Sequence, residues 1–120
     1  MVNEMAYMNQ EMKAEIRAEL KKVLPKSWKW SLGVKHYSTI VLTISKADVN
    51  LLKDDATYAD INTFHLGHHF SGEVLAVFEK IVKALNLNNH DNSDVMTDYF
   101  DVGHYVNLNI GKYNKPFEII

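Results

Sequence analysis

The chain contains no cysteine. It therefore has no disulfide framework, cysteine nucleophile or thiolate metal ligand, so a catalytic group would have to be His, Asp, Glu, Ser, Thr, Tyr or Lys. No apolar run reaches membrane-spanning length, and the first residues lack the basic start and apolar stretch of a signal peptide. From these absences we expect a soluble, cytoplasmic protein with no membrane partner.

Proline and glycine are scarce, at 2 and 5 of 120 residues, and the sequence contains no repeat, low-complexity segment or flexible linker. Hydrophobic residues make up 47% of the chain, enough to form one core without a metal or disulfide. We therefore predict one domain covering residues 1–120 and no cofactor.

Hydrophobic periodicity predicts two helices. The first covers about residues 8–24, where Met8, Met12, Ile16 and Leu20 recur at helical spacing and Pro25 marks the end. The second runs to about Asn86, with Ser71 as its N-terminal cap. Alternating apolar residues predict strands over 28–34, 39–45 and 104–110, with Gly103 marking a bulge or bend.

The predicted fold class is therefore α+β, in the order α-β-β-α-β. Two helices pack on a small antiparallel sheet of three or four strands, and its first two strands form a hairpin although their connection lacks Asn-Gly. Residues 117–120 either add a short edge strand or pack across the sheet. Residues 46–70 read as a long ordered loop, a feature that is often functional.

Three histidines, His65, His68 and His69, have a spacing that would place them on one helical face, as a divalent metal site requires. Gly67 weakens the helical reading, and the glutamate of a His-Glu-x-x-His motif is absent. No fourth ligand is specified among Asp60, His36, His90 and His104. The alternative is that these histidines belong to a loop and a helix entrance.

A basic segment suggests a second kind of site. Trp28 or Trp30 could stack on bases, and seven cations could contact phosphates. These cations are Lys13, Arg17, Lys21, Lys22, Lys26, Lys29 and Lys35. Glutamates on the same helix reduce this positive field. The alternative is that both tryptophans anchor the sheet to the helices, because both fall on the inferred apolar face.

Known catalytic motifs are missing. The sequence has no nucleophile elbow, no phosphate-binding P-loop and no Gly-rich dinucleotide loop. We therefore expect a protein that is not an enzyme, with a His-based metal enzyme as an alternative.

Several short segments resemble the small domains associated with large polyvalent proteins of phages and conjugative plasmids. The resemblance lies in Leu20–Pro25, Lys29–Leu32 and Ser38–Leu42, and again in residues 99–102 and 105–111. In that group the second strand often continues into a Trp-x-Asp-Gly-Pro-like turn, where this chain has Ile44–Asp48. The resemblance implies a mobile-element accessory protein that acts on host defence or nucleic-acid machinery, for example an inhibitor of a CRISPR complex.

The charge distribution suggests how such an inhibitor would bind. Residues 9–46 carry eight Lys/Arg against three Asp/Glu, whereas residues 47–111 carry three against ten. Acidic side chains can compete for Lys/Arg that would otherwise hold nucleic-acid phosphates. The candidate contacts are Asp48, Asp54, Asp55, Asp60, Asp91, Asp94, Asp98 and Asp101. The alternative is that these carboxylates only keep loops soluble.

Overall fold

A computed structural model describes residues 8–53, 55–87, 89 and 103–120. Its first element is helix α1, Gln10–Val23, which confirms the predicted N-terminal helix. The Asn9 side chain caps α1 by accepting the Met12 N–H at 2.8 Å. Leu24 is already extended and precedes Pro25, a residue that disfavours helix in the position before it.

The predicted hairpin is confirmed. Strand β1, Lys29–Lys35, pairs antiparallel with strand β2, Thr39–Ala47, and Leu32 lies opposite Leu42. A β-bulge places Ser45 as an extra residue in β2, between the pairs Trp30–Ile44 and Lys29–Lys46, and bends β2 there.

The sheet is mixed, which corrects the predicted antiparallel sheet. Strand β4, Tyr105–Ile110, runs parallel to β2, because the chain between them crosses over through helix α2, Gly72–Leu85. The irregular segment 46–70 contributes strand β3, Ala59–Ile61, antiparallel to β4, and a 3₁₀ turn at Leu66–His68. The strand order is β1-β2-β4-β3.

The C-terminal residues return to β2. Strand β5, Glu118–Ile119, pairs parallel with Lys46 and Ala47 beyond the part of β2 that β4 occupies. Gly111 follows β4 directly and has a left-handed φ of 65°. The chain turns there, and it pairs with β2 again at β5. The predicted alternative of a short added strand is therefore confirmed.

Both helices cover one face of the sheet. Alternate residues on this face are buried, including Leu32, Ile40, Leu42 and Leu108. The core between the layers contains Phe78 of α2, whose ring stacks on Phe70 with centroids 3.9 Å apart. The opposite face carries mainly Ser, Thr and Asn from β1, β2 and β4.

Helix α2 ends at Leu85, in agreement with the predicted end at about Asn86, whereas its N-terminal cap differs from the prediction. Ser71 precedes the helix as expected, but its side chain makes no capping hydrogen bond, and Gly72 has φ 59°. At the other end, Nε2 of the buried His104 lies 2.7 Å from the Leu85 carbonyl oxygen. Because the last carbonyls of a helix lack intrahelical donors, this imidazole completes α2. The Asn89 side chain bonds both backbone polar groups of His104, at 2.8 and 2.9 Å.

Within the described ranges, none of the helices is both long enough and apolar enough to cross a membrane.

Candidate nucleic-acid interface on α1 and β1

Helix α1 carries its charges on two separate flanks. Lys13, Arg17 and Lys21 are four residues apart, so they align along one flank beside the buried stripe that contains Ile16 and Leu20. The glutamates at positions 11, 15 and 19 align along the other flank, beyond that stripe. We call the first flank the basic flank, defined by Lys13, Arg17 and Lys21.

The basic flank faces β1. The Arg17 guanidinium lies over the Trp30 ring, 5.7 Å from its centroid, within the range of a cation–π contact. Trp30 is half-buried on the helix-covered face of β1, and β1 ends the strand order of the sheet. The tryptophan thus positions the guanidinium between the helix and the sheet edge while leaving it at the surface.

A shallow surface depression follows the basic flank. Its described lining residues all come from α1: Gln10, Lys13, Ala14, Arg17, Ala18 and Lys21. The two alanines keep the surface between the cations low, so a backbone of another molecule can approach the helix. Such an open, elongated surface suits a chain-like ligand better than an enclosed small molecule.

No carboxylate in the described part of the chain lies within ion-pair distance of the three basic-flank cations. The ion pair within α1 is on the other flank, between Lys22 and Glu19 at 3.4 Å. Both partners of that pair are substantially exposed, so it contributes little to stability. The segregation keeps the helix glutamates from neutralising the basic flank through direct contacts.

The seven cations of the basic segment do not form one patch. Lys22 lies on the flank of α1 that carries the glutamates, and Lys26 lies in the turn after α1. Lys29 and Lys35 are at the two ends of β1, where strand alternation places them on the face away from the helices. The predicted phosphate-binding set is therefore reduced to three members on the basic flank.

Trp28 is not available for base stacking, which corrects one of the two tryptophan predictions. It is buried against Phe78, with ring centroids 5.8 Å apart. Its Nε1–H donates to the Asp48 carboxylate at 2.9 Å, and the Ser27 hydroxyl donates to the same carboxylate at 3.2 Å. The anchoring role proposed as the alternative fits Trp28, and Asp48 serves within the fold.

The acidic candidates are only partly described. Asp54, Asp91, Asp94, Asp98 and Asp101 lie outside the described residues. Asp55 is exposed in the loop before β3, and Asp60 is exposed in β3, opposite Asn109 on the sheet face away from the helices. Neither of these two carboxylates accepts a hydrogen bond within the described ranges.

The three clustered histidines do not form the predicted metal site. The His65 and His68 rings stack with centroids 5.3 Å apart, whereas Nε2 of His69 accepts the Asn62 N–H at 3.3 Å. The described residues contain no group of three or more His, Asp or Glu placed to hold a metal ion. Of the suggested fourth ligands, His104 is buried at the end of α2 and His90 lies outside the described residues.

The pKa of His69 is lowered from its ordinary value. Partial burial is the largest cause, followed by the positive charge of Lys53 and then by His68. The Lys53 ammonium is held nearby because it donates to the His68 carbonyl. A neutral imidazole also fits the geometry, since Nε2 acts as a hydrogen-bond acceptor.

The turn between β1 and β2 is a feature that the functional predictions missed. His36 and Tyr37 both have positive φ, 55° and 58°, although each has a β-carbon. Two such residues in succession form the kind of turn for which Asn-Gly is preferred. The short hairpin connection without Asn-Gly was the sequence signal that could have indicated a strained turn here.

No protein-family model, curated protein or solved structure matches this chain.

Proposed function

We propose that this protein is a non-enzymatic nucleic-acid-binding module and that the basic flank contacts the phosphates. The observation that carries this proposal is the alignment of Lys13, Arg17 and Lys21 beside β1, with Arg17 over Trp30. Phosphate contacts from Lys and Arg supply most of the affinity in nonspecific nucleic-acid binding. The Trp30 contact restricts the guanidinium before binding, which reduces the entropy lost on association.

A formal net charge of −2 does not oppose this function. Charges separated by more than about 8 Å of solvent are largely screened at physiological ionic strength, so a phosphate responds mainly to its nearest side chains. On α1 the nearest side chains are the three cations, with the helix glutamates on the other flank. The same screening means that binding should weaken steeply with salt.

Fluorescence anisotropy with labelled single- and double-stranded DNA and RNA, titrated with salt, tests the proposal. The triple variant Lys13→Ala, Arg17→Ala, Lys21→Ala should lose at least about tenfold in affinity at low salt. Its slope of log affinity against log salt should be shallower by about 2, since each phosphate contact to a single strand contributes about 0.7. Absence of any wild-type binding at low ionic strength would overturn the proposal.

A matched control removes the same charge from other surfaces. Lys80→Ala, Lys83→Ala, Lys112→Ala changes three exposed lysines on α2 and after β4. This variant should keep the wild-type salt slope and lose less than about threefold in affinity, because only the long-range field changes. Equal losses in both triple variants would show that net charge, and not the basic flank, controls binding.

A second proposal concerns the acidic side chains. We infer that the protein inhibits a host defence or nucleic-acid-processing complex through an acidic surface that includes Asp55 and Asp60. It is supported by the exposure of both carboxylates within the described ranges and by the position of Asp60 on the polar face of the sheet. Acidic groups there would meet basic residues of a partner without first breaking ion pairs of their own.

Affinity purification from bacterial lysate at low salt tests this second proposal. The tagged wild-type protein should retain a nucleic-acid-processing complex and lower its activity, and the variant Asp55→Asn, Asp60→Asn should do neither. Glu73→Gln, Glu79→Gln on α2 removes the same charge elsewhere and should behave as wild type. Recovery of no such complex, or equal recovery by the Asp55/Asp60 variant, would count against an acidic interface.

A further inference from the structure

The turn between β1 and β2 holds two side-chain-bearing residues in the left-handed region. His36 and Tyr37 have φ of 55° and 58°. This conformation brings the β-carbon too close to the following carbonyl, so it is strained for most residues; glycine adopts it freely, and asparagine, aspartate and histidine adopt it more often than other residues. An aromatic residue is an unfavourable choice for such a position on stability grounds.

Hydrogen bonds from two neighbouring elements maintain the strained turn. The Met8 N–H, just before α1, donates to the Tyr37 carbonyl at 2.7 Å, and the Tyr105 N–H of β4 donates to the Ser38 carbonyl at 2.9 Å. Within the turn, the Ser38 N–H donates to the Lys35 carbonyl at 3.3 Å. Strain that the surrounding structure maintains in this way often accompanies function.

The strained turn exposes an aromatic ring. Tyr37 is 81% exposed, although its backbone carbonyl is fixed by Met8. The side chain therefore contributes little packing to the fold while it occupies a conformation that glycine would adopt more easily. A tyrosine has only two side-chain torsions, so a fixed backbone presents its ring at a small entropic cost for binding.

The turn lies at one end of the basic flank. Arg17 contacts β1, and the turn is the C-terminal end of that same strand, next to the start of α1. Met8, the hydrogen-bond partner of Tyr37, lies two residues before α1, and Lys13 lies about 4.5 Å along the helix axis from Gln10, its first residue. From Lys13 to Arg17 to Lys21, each step adds about 6 Å along the helix axis.

We propose that the ligand of the basic flank is a single-stranded nucleic acid, and that one of its bases stacks on Tyr37. This inference rests on the proposed nucleic-acid-binding function. Cations about 6 Å apart along one helix can each meet a phosphate of the same strand, and the exposed ring at the end of that row favours a strand whose bases are unstacked. Unstacked bases are the groups that an exposed aromatic ring binds, with little dependence on sequence.

Anisotropy with matched single-stranded and duplex oligonucleotides, in DNA and in RNA, tests this inference on the full chain. The wild-type protein should prefer single strands over duplex by at least about tenfold. Tyr37→Ala should lower single-strand affinity about tenfold, the usual effect of removing one base-stacking ring, with the salt slope unchanged. Tyr37→Trp should retain the wild-type affinity.

Tyr37→Gly separates a binding role from a structural one. Glycine relieves the left-handed strain, so the equilibrium constant for unfolding should fall about fivefold or more, while single-strand affinity falls about tenfold as for alanine. If Tyr37 were needed only for the fold, a glycine that stabilises the protein would not weaken single-strand binding. Phe64→Ala removes another ring, 90% exposed and without a ring contact among the described residues, and should leave both quantities unchanged.

The failures of the two proposals are distinguishable. No binding of any nucleic acid by the wild-type protein would overturn both. Binding that depends on the basic flank, with equal affinity for duplex and single strands or with Tyr37→Ala at wild-type affinity, would overturn only the single-strand inference.

Discussion

Gly111 occupies a position that no other residue should tolerate. Its φ is 65°, and a β-carbon built there would lie 2.6 Å from the Phe117 backbone nitrogen and 3.1 Å from both the Phe117 β-carbon and the Thr57 carbonyl oxygen. These neighbours cannot easily shift, because the Phe117 N–H donates to that same carbonyl at 2.9 Å. The Gly111 N–H itself donates to the Ile44 carbonyl at 2.8 Å, which fixes the glycine against β2.

Replacement of Gly111 by alanine should therefore destabilise the protein by about 3 kcal/mol. The left-handed conformation contributes about 1–2 kcal/mol and the crowding about 1–3 kcal/mol. The lower entropy of an unfolded chain with alanine offsets about 0.4–1 kcal/mol of this sum. Since β5 pairs with β2 only if the chain turns at Gly111, loss of that pairing is the most direct way to relieve the clash.

Urea unfolding followed by tryptophan fluorescence measures this change. Gly111→Ala should lower the midpoint, and the denaturant slope should stay unchanged if the native state remains compact. Gly33→Ala in β1 is the matched control, because a β-carbon there meets no heavy atom within 4 Å and the backbone φ is not positive. It should leave stability unchanged or raise it by up to about 1 kcal/mol, because alanine lowers the entropy of the unfolded chain without any clash. Equal stability of Gly111→Ala and wild type would refute the close approach.

Three further predictions concern individual side chains. Asp48→Ala should destabilise by about 1 kcal/mol in urea unfolding, because Trp28 loses its indole hydrogen bond, and an unchanged midpoint would contradict that role. The pKa of His69 measured by NMR should lie below 6.5, and Lys53→Met should raise it. Because the pKa of His69 is lower in the folded than in the unfolded state, its contribution to stability should be complete above pH 6.5. That contribution should decline as the pH falls through 6.5 and then through the folded-state pKa. His104→Ala should destabilise by about 2–4 kcal/mol, since it leaves a cavity and the last carbonyl of α2 without its partner, and a loss below about 1 kcal/mol would exclude this capping role.

The long periodic segments of the fold were predictable. The spacing of Ile16 and Leu20 in α1, and of Phe78 and Leu85 in α2, reflects burial on one helical side, which is a local property of the sequence. The hairpin followed from two apolar alternations with a short connection. Sheet direction was not predictable in this way, because the same alternation in β4 fits parallel or antiparallel pairing, and the crossover through α2 selects between them.

The candidate site was predictable only as a list of residue types. The sequence identified all seven cations but not the separation of Lys13, Arg17 and Lys21 from the other four. Strand β3 escaped prediction and strand β5 was predicted only as one of two alternatives, because three- and two-residue strands have no measurable period. The strain at His36 and Tyr37 was also invisible, since local preference alone would avoid it and two tertiary hydrogen bonds maintain it.

The class of this fold follows from local sequence patterns, because the apolar period of each long segment selects helix or strand and one face of each must be buried. The contacts between charged and aromatic side chains depend instead on how the chain packs. Arg17 and Trp30 are thirteen positions apart in the sequence, and Trp28 and Asp48 are twenty apart, yet the fold brings each pair into contact. The first pair lies at the surface beside the basic flank. In the second pair, Asp48, which the sequence suggested as a contact for a partner, instead accepts a hydrogen bond from the buried Trp28.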